Sequence, residues 1–231
     1  MGLGLSTVIF GGAALLMWIS TRIAIPFSHR ITDVEPVLLW FVVSGLGVFT
    51  PLLFLSFWLL HREGALSQPS LWRERLRFHR MNGRDWLWAL GALVSIGIMS
   101  AGLMYAIEMF TGRMDHQPPF MAFEPLTPGR YWLLTVWFPF WLLNIMGEEI
   151  LWRGVILPQQ EGAFRRSAWL ANGTGWLLFH LAFGWQLLIT LLPILFILPY
   201  VTQRRRNSWV AVVVHAGLNG PSFLAIAFGL L

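Results

Sequence analysis

Residues 144–154 read NIMGEEILWRG and place three ionisable groups directly after a run, Tyr131 to Leu143, that carries no charge. On an α-helix, side chains four apart share a face, so Glu149 and Arg153 can pair, with the acid on the favoured N-terminal side. Glu148 lies about 100° round the helix from Glu149 and cannot easily share that guanidinium. Its carboxylate is left for chemistry. Two more pairs recur at the same spacing, Trp176 with His180 in WLLFH and His215 with Asn219 in HAGLN. In the second, a ring nitrogen and an amide point the same way, as needed to hold one small polar ligand or a developing oxyanion. Taken singly, an intramembrane histidine is more often a hydrogen-bonder between packed helices than a catalyst.

The elements that must position these groups are membrane helices. Of 231 residues, 56% are hydrophobic and only 12% charged, against about 25% charged in soluble domains. The chain therefore reads as one integral membrane domain, 1–231, whose surroundings are the lipid bilayer. Cysteine is absent, which excludes disulfides, a thiol nucleophile and any Cys-ligated metal. The net charge of +5 is carried by arginine alone, since no lysine occurs. Arginines scattered between apolar spans serve orientation in the membrane, and nucleic acid is not an expected partner.

A spanning helix needs about 20 mostly apolar residues. Hydropathy predicts spans near 3–21, 36–60, 86–108, 131–152, 168–183, 185–202 and 208–231, the first three filling an N-terminal region, 1–110. The N-terminus lacks the basic region of a signal peptide and reads as a retained first span. Asn219-Gly220-Pro221 could split the last stretch, because proline removes a donor and clashes with the preceding turn, which would make eight segments. The expected fold class is all-α, a polytopic transmembrane bundle of about seven or eight helices.

Arginine content then orients the bundle. Arg62, Arg73, Arg75, Arg77, Arg80 and Arg84 lie in one loop, Arg165 and Arg166 in a second, and Arg204, Arg205 and Arg206 in a third, all on one side. By the positive-inside rule that side, and the N-terminus with it, is cytoplasmic. Within the first loop, SLWRERLRFHRM suits a short interfacial helix with Leu71, Trp72 and Leu76 toward lipid. Gly91 with Ser95, and Gly97 with Ala101, suit close helix packing. The outer loop from Asp115 to Gly129 receives no role.

A charge at mid-bilayer costs on the order of 2.5–3.5 kcal/mol on insertion scales, so an ionisable group there is a functional hypothesis by default. Helical rise places Glu148 toward the arginine-rich side of its span, with His180 about a dozen residues in from that side and His215 and Asn219 about seven and eleven. Three segments distant in sequence thus present polar groups in overlapping layers.

These motifs, Glu148-Glu149-x-x-x-Arg153, aromatic-x-x-x-His from Trp176 to His180, and His215-x-x-x-Asn219, on separate helices and in this order, closely resemble the CPBP family. That family comprises CAAX prenyl endopeptidases and bacteriocin-processing or immunity proteins, and is related to the Ras-converting CAAX protease. The resemblance covers roughly 130–225. Trp176 stands where the second motif usually has Phe, an aromatic change expected to leave His180 unaffected. The resemblance implies an intramembrane endopeptidase with a conical cavity open to the cytoplasmic side. It also implies that Glu148 activates water, that His180 orients or shares its proton, and that His215 and Asn219 stabilise the oxyanion. Glu149 and Arg153 would then hold their helix in register.

No cofactor is expected, and the sequence lacks HExxH, the compact zinc signal. If zinc is present, its ligands would be His180, His215 and Glu148, a known type of two-His, one-carboxylate set. The expected partner is a peptide or membrane-protein substrate, prenylated or a bacteriocin leader, met in the bacterial inner membrane. Two other functions use the same residues: a non-catalytic immunity or scaffold protein of this fold, and a transporter, for which the sequence offers no inverted repeat or paired broken helices.

Overall fold

The computed structural model describes residues 3–231, and among them every regular element is helical. The helices are α1 (3–32), α2 (36–62), α3 (Pro69–Arg75), α4 (Gly83–Thr111), α5 (133–164), α6 (Ala168–Phe179), α7 (Trp185–Arg205) and α8 (Ser208–Ala227). α1, α2, α4, α7 and α8 are long and apolar enough to cross a membrane. The chain is an all-α polytopic bundle.

Several boundaries differ from those predicted. The first helix runs past residue 21 to Thr32, through a π-helical turn at Ser20–Ala24 where Ser20 bonds Ser44 of α2 at 2.7 Å. The last stretch is not split at Pro221; α8 continues to Ala227, since neighbouring helices tolerate proline within a buried membrane helix. The largest departure is the segment predicted as a span over 168–183. α6 has only 12 residues, about 18 Å, against a hydrocarbon core of about 30 Å. It stops inside the bundle. His180 ends it, a 3₁₀ turn follows at Leu181–Phe183, and Gly184, at φ 93°, adopts the backbone that starts α7.

Two glycines let this short helix sit at the centre. A Cβ on Gly173 would stand 2.6 Å from the Leu195 carbonyl oxygen of α7, and one on Gly175 would stand 2.3 Å from the Phe10 ring of α1. Phe10 in turn stacks on Trp152 of α5, ring centroids 4.3 Å apart. α6 is thereby wedged between α1, α5 and α7. By contrast, Gly91 and Gly97 of α4 face no neighbour within 4 Å, so the small-residue packing expected there does not occur.

The arginine-rich loops gather at one end of the bundle. Arg77 pairs with Glu161 at 2.7 Å, Arg205 with Asp85 at 2.8 Å, and Gln203 donates to the Arg165 carbonyl. α3 forms in the first of these loops, but Leu76 beyond it points inward, fully buried against Gly154 of α5. It does not face lipid. At the opposite end the 115–129 loop folds over the bundle. Phe120 packs on Trp40 and Phe183, Phe123 on Phe223, and the Leu126 N–H donates to the Ala227 carbonyl. That end is capped by apolar side chains.

Candidate functional site

α5, α6 and α8 bring Glu148, Glu149, Arg153, His180 and His215 together around the indole of Trp176. α5 reaches the site as an ordinary helix through Glu149, then widens into a π-helical stretch at Ile150–Ile156 before returning to α-helix. Such turns bond i→i+5 and are frequent at functional sites. Other elements bond to carbonyls of this stretch: Arg75 donates to those of Gly154 at 3.0 Å and Val155 at 3.3 Å, and Asn172 of α6 donates to that of Trp152 at 3.0 Å. Gly147, just before the two glutamates, brings α5 against α2; a Cβ there would lie 2.9 Å from the Phe49 carbonyl oxygen.

Glu148 is 2% exposed and is not without partners. The Asn144 amide, one turn earlier on α5, donates to its Oε1 at 2.9 Å, and the Trp176 indole N–H donates to its Oε2. Each carboxylate oxygen has room for a second hydrogen, so the two bonds fix the group's orientation and leave acceptor capacity. Asn144 is a site residue that the motif pattern passes over. Its signal was the same i,i+4 spacing that links Glu149 to Arg153.

Glu149 and Arg153 lie together with neither side chain exposed, but their closest approach, Oε2 to Nε, is 3.4 Å. Among the described residues no nitrogen of the guanidinium has a hydrogen-bond partner. The cation is instead stacked on Trp176, its Cζ 3.7 Å from the ring centroid, where the face of the indole offers negative potential. The second oxygen of Glu149 accepts from Nδ1 of His215 at 2.7 Å. The pairing read from sequence is therefore a three-part cluster of Glu149, Arg153 and His215 on the Trp176 ring.

His180 closes α6, and this position sets its tautomer. The last carbonyls of a helix have no N–H partner within it; Nδ1 of His180 meets one of them, that of Trp176, at 2.9 Å. A carbonyl only accepts, so Nδ1 carries the hydrogen and Nε2 keeps its lone pair. The same reasoning at His215, whose Nδ1 meets a carboxylate, turns its Nε2 away from α5. The two imidazoles flank the indole, with ring centroids 5.5 and 5.3 Å from that of Trp176. Asn219, one turn beyond His215, is exposed and bonds to no described side chain.

Trp176 thus does two things that a phenylalanine could not both do: its ring carries Arg153 and its N–H holds Glu148. Trp176→Phe is expected to fold with the ring stacking intact but to lose one bond to a charged group, about 1.5–3 kcal/mol. Chemical denaturation in detergent checks it, with Trp176→Leu, which also strips the face from Arg153, losing more. Equal stability of wild type and Trp176→Phe would contradict the role given to the N–H.

Among the described residues no three His, Asp or Glu side chains converge as a metal-binding group. Nδ1 of His180 and of His215 is engaged by the Trp176 carbonyl and by Glu149, so in the set considered for zinc a metal would be met by Nε2 of each imidazole and by the acceptor capacity left on Glu148.

Residues 130–220 match the family model of the type II CAAX prenyl endopeptidase, Rce1-like. The 130–220 segment is similar to that family. No curated protein and no solved structure matches the chain. The Rce1-like segment of this integral membrane protein contains Glu148, Glu149, Arg153, Trp176, His180, His215 and Asn219, and the family that it resembles is a protease family. α1 to α4 lie outside the match. Through Phe10, Phe49 and Arg75 they nevertheless supply part of the frame that holds it.

Proposed function

We propose that the protein is an intramembrane endopeptidase in which Glu148 activates water for attack on a peptide carbonyl. The observation that carries this reading is the buried Glu148 carboxylate, oriented by two N–H donors and facing the α6 end where Nε2 of His180 is free to accept. Glu148 takes one proton of the water while its oxygen bonds to the carbonyl carbon. The resulting oxyanion is met by Nε2 of His215, a role that requires hydrogens on both ring nitrogens because Nδ1 faces Glu149, and by the amide of Asn219 one turn further along α8. As the C–N bond breaks, the proton taken up by Glu148 passes to Nε2 of His180 and from there to the leaving amine. Glu149 and Arg153 hold His215 and the Trp176 ring in place.

Access is from the arginine-rich end, taken as cytoplasmic by the positive-inside rule, with the bacterial inner membrane as the setting. The capped opposite end supports that direction of entry. The substrate is a peptide or membrane-protein segment. A prenylated C-terminal peptide, the kind named in the family description, is the first to try, and a bacteriocin leader the second.

The step uses only side chains of this chain. Protein reconstituted in lipid nanodiscs and incubated with a membrane proteome in ¹⁸O-labelled water is expected to create new C-termini carrying the label, at a rate unchanged by a zinc chelator. Loss of cleavage on chelation, restored by zinc, would overturn the metal-free reading. Absence of any labelled terminus would favour a scaffold that keeps the fold without catalysis.

A further inference from the structure

We infer that a slot between α4 and α7, remote from the catalytic cluster, holds one anionic phospholipid of the leaflet at the arginine-rich end. Its walls include Trp88, Gly91 and Ser95 from α4 and Ile197, Tyr200 and Val201 from α7. A Cβ at Gly91 would meet nothing within 4 Å, so the floor is open. Helical spacing puts one arginine at the head of each wall. Arg84 precedes Trp88, Gly91 and Ser95 by four, seven and eleven residues, and Arg204 follows Ile197, Tyr200 and Val201 by seven, four and three, the spacings that define one helix face. From Arg84 to Ser95 the slot is about 16 Å long, half of the roughly 30 Å hydrocarbon core. That is the depth of one leaflet, and so of one acyl chain with its phosphate at the arginines.

Charge decides the headgroup. Three carboxylates at this end are already engaged, Asp85 by Arg205 and Asn207, Glu161 by Arg77, and Glu63 by Arg75, and the fourth, Glu74, is paired with neither Arg84 nor Arg204 among the described residues. Arg84 and Arg204 are both exposed; the Arg204 guanidinium lies 5.8 Å from the Tyr200 ring centroid, and among the described residues neither arginine has an acidic partner. Two uncompensated guanidinium groups over an apolar slot complement a lipid with net negative charge. Each arginine near an anionic headgroup contributes about fivefold in affinity, so the pair gives on the order of 25-fold.

Native mass spectrometry of the full chain, titrated with phosphatidylglycerol and phosphatidylcholine of matched acyl chains, tests the assignment. The wild type is expected to prefer phosphatidylglycerol by about 25-fold, and the preference is expected to fall as salt is raised. The double variant Arg84→Gln/Arg204→Gln should bind both lipids alike, and Ser95→Trp, which fills the slot, should weaken both. Equal binding of the two lipids by the wild type, or a preference that survives loss of both arginines, would overturn the proposal. So would a dimer broken by Ser95→Trp, which would make the slot a seat for a second copy. The salt dependence needs no variant, so it decides the matter even if a substitution fails to fold.

Discussion

Glu148→Gln is expected to yield a folded protein whose peptide hydrolysis is reduced by a factor on the order of 10²–10⁴, the usual contribution of a positioned general base. The amide keeps the volume of the side chain and one acceptor oxygen. It cannot remove a proton from water, and its NH₂ opposes one of the two donors, Asn144 or Trp176, that hold the carboxylate. That mismatch costs about 1–3 kcal/mol of stability, small enough for folded protein to be recovered. Glu148→Ala removes the same function but also empties a buried polar site. The amide variant is therefore the cleaner probe, read by the rate of new-terminus formation per folded molecule.

The second large effect concerns stability. Arg153→Met is expected to lose about 3–5 kcal/mol, the cost of leaving one partner of a buried ion pair uncompensated. Here the uncompensated group is Glu149, which is fully buried and has only His215 as its remaining polar partner. Since native proteins are stable by about 5–15 kcal/mol, much of the folded yield goes with it. Glu149→Gln made in the same chain neutralises the stranded charge while its amide oxygen still accepts from His215. The double variant should regain a large share of the loss. Denaturation of wild type, both single variants and the double variant checks this; strictly additive losses would contradict coupling between Glu149 and Arg153.

The sequence made the ionisable core visible because charge is rare in lipid and helical spacing is regular. Glu149 with Arg153 follows from that spacing alone, and the fold class follows from the long apolar runs. What remained hidden depends on tertiary contact. Glu148 looked unpaired because its donors come from Asn144, a neutral residue in the same helix, and from Trp176 on another helix. The exchange of Phe for Trp in the second motif was read as a change of aromatic kind, whereas the structure uses the added N–H.

Helix ends and distortions were the other hidden features. Composition does not distinguish a 12-residue helix ending at His180 from a full span, because the apolar run continues through the turn into α7. The π-helical stretch at Ile150–Ile156 leaves no periodic trace over seven residues. Arg75, which takes up two of its carbonyls, lies 79 positions from Gly154 and had been grouped with the orienting charges. The exposure of Asn219 depends on which neighbours flank α8, information that an i,i+4 rule does not contain.

The most direct test of hydrolysis by Glu148-activated water compares peptide termini in membranes from cells making equal folded amounts of wild type or Glu148→Gln. A discrete set of C-termini present with the wild type and missing with Glu148→Gln is the predicted result. Identical sets in the two membranes would contradict it.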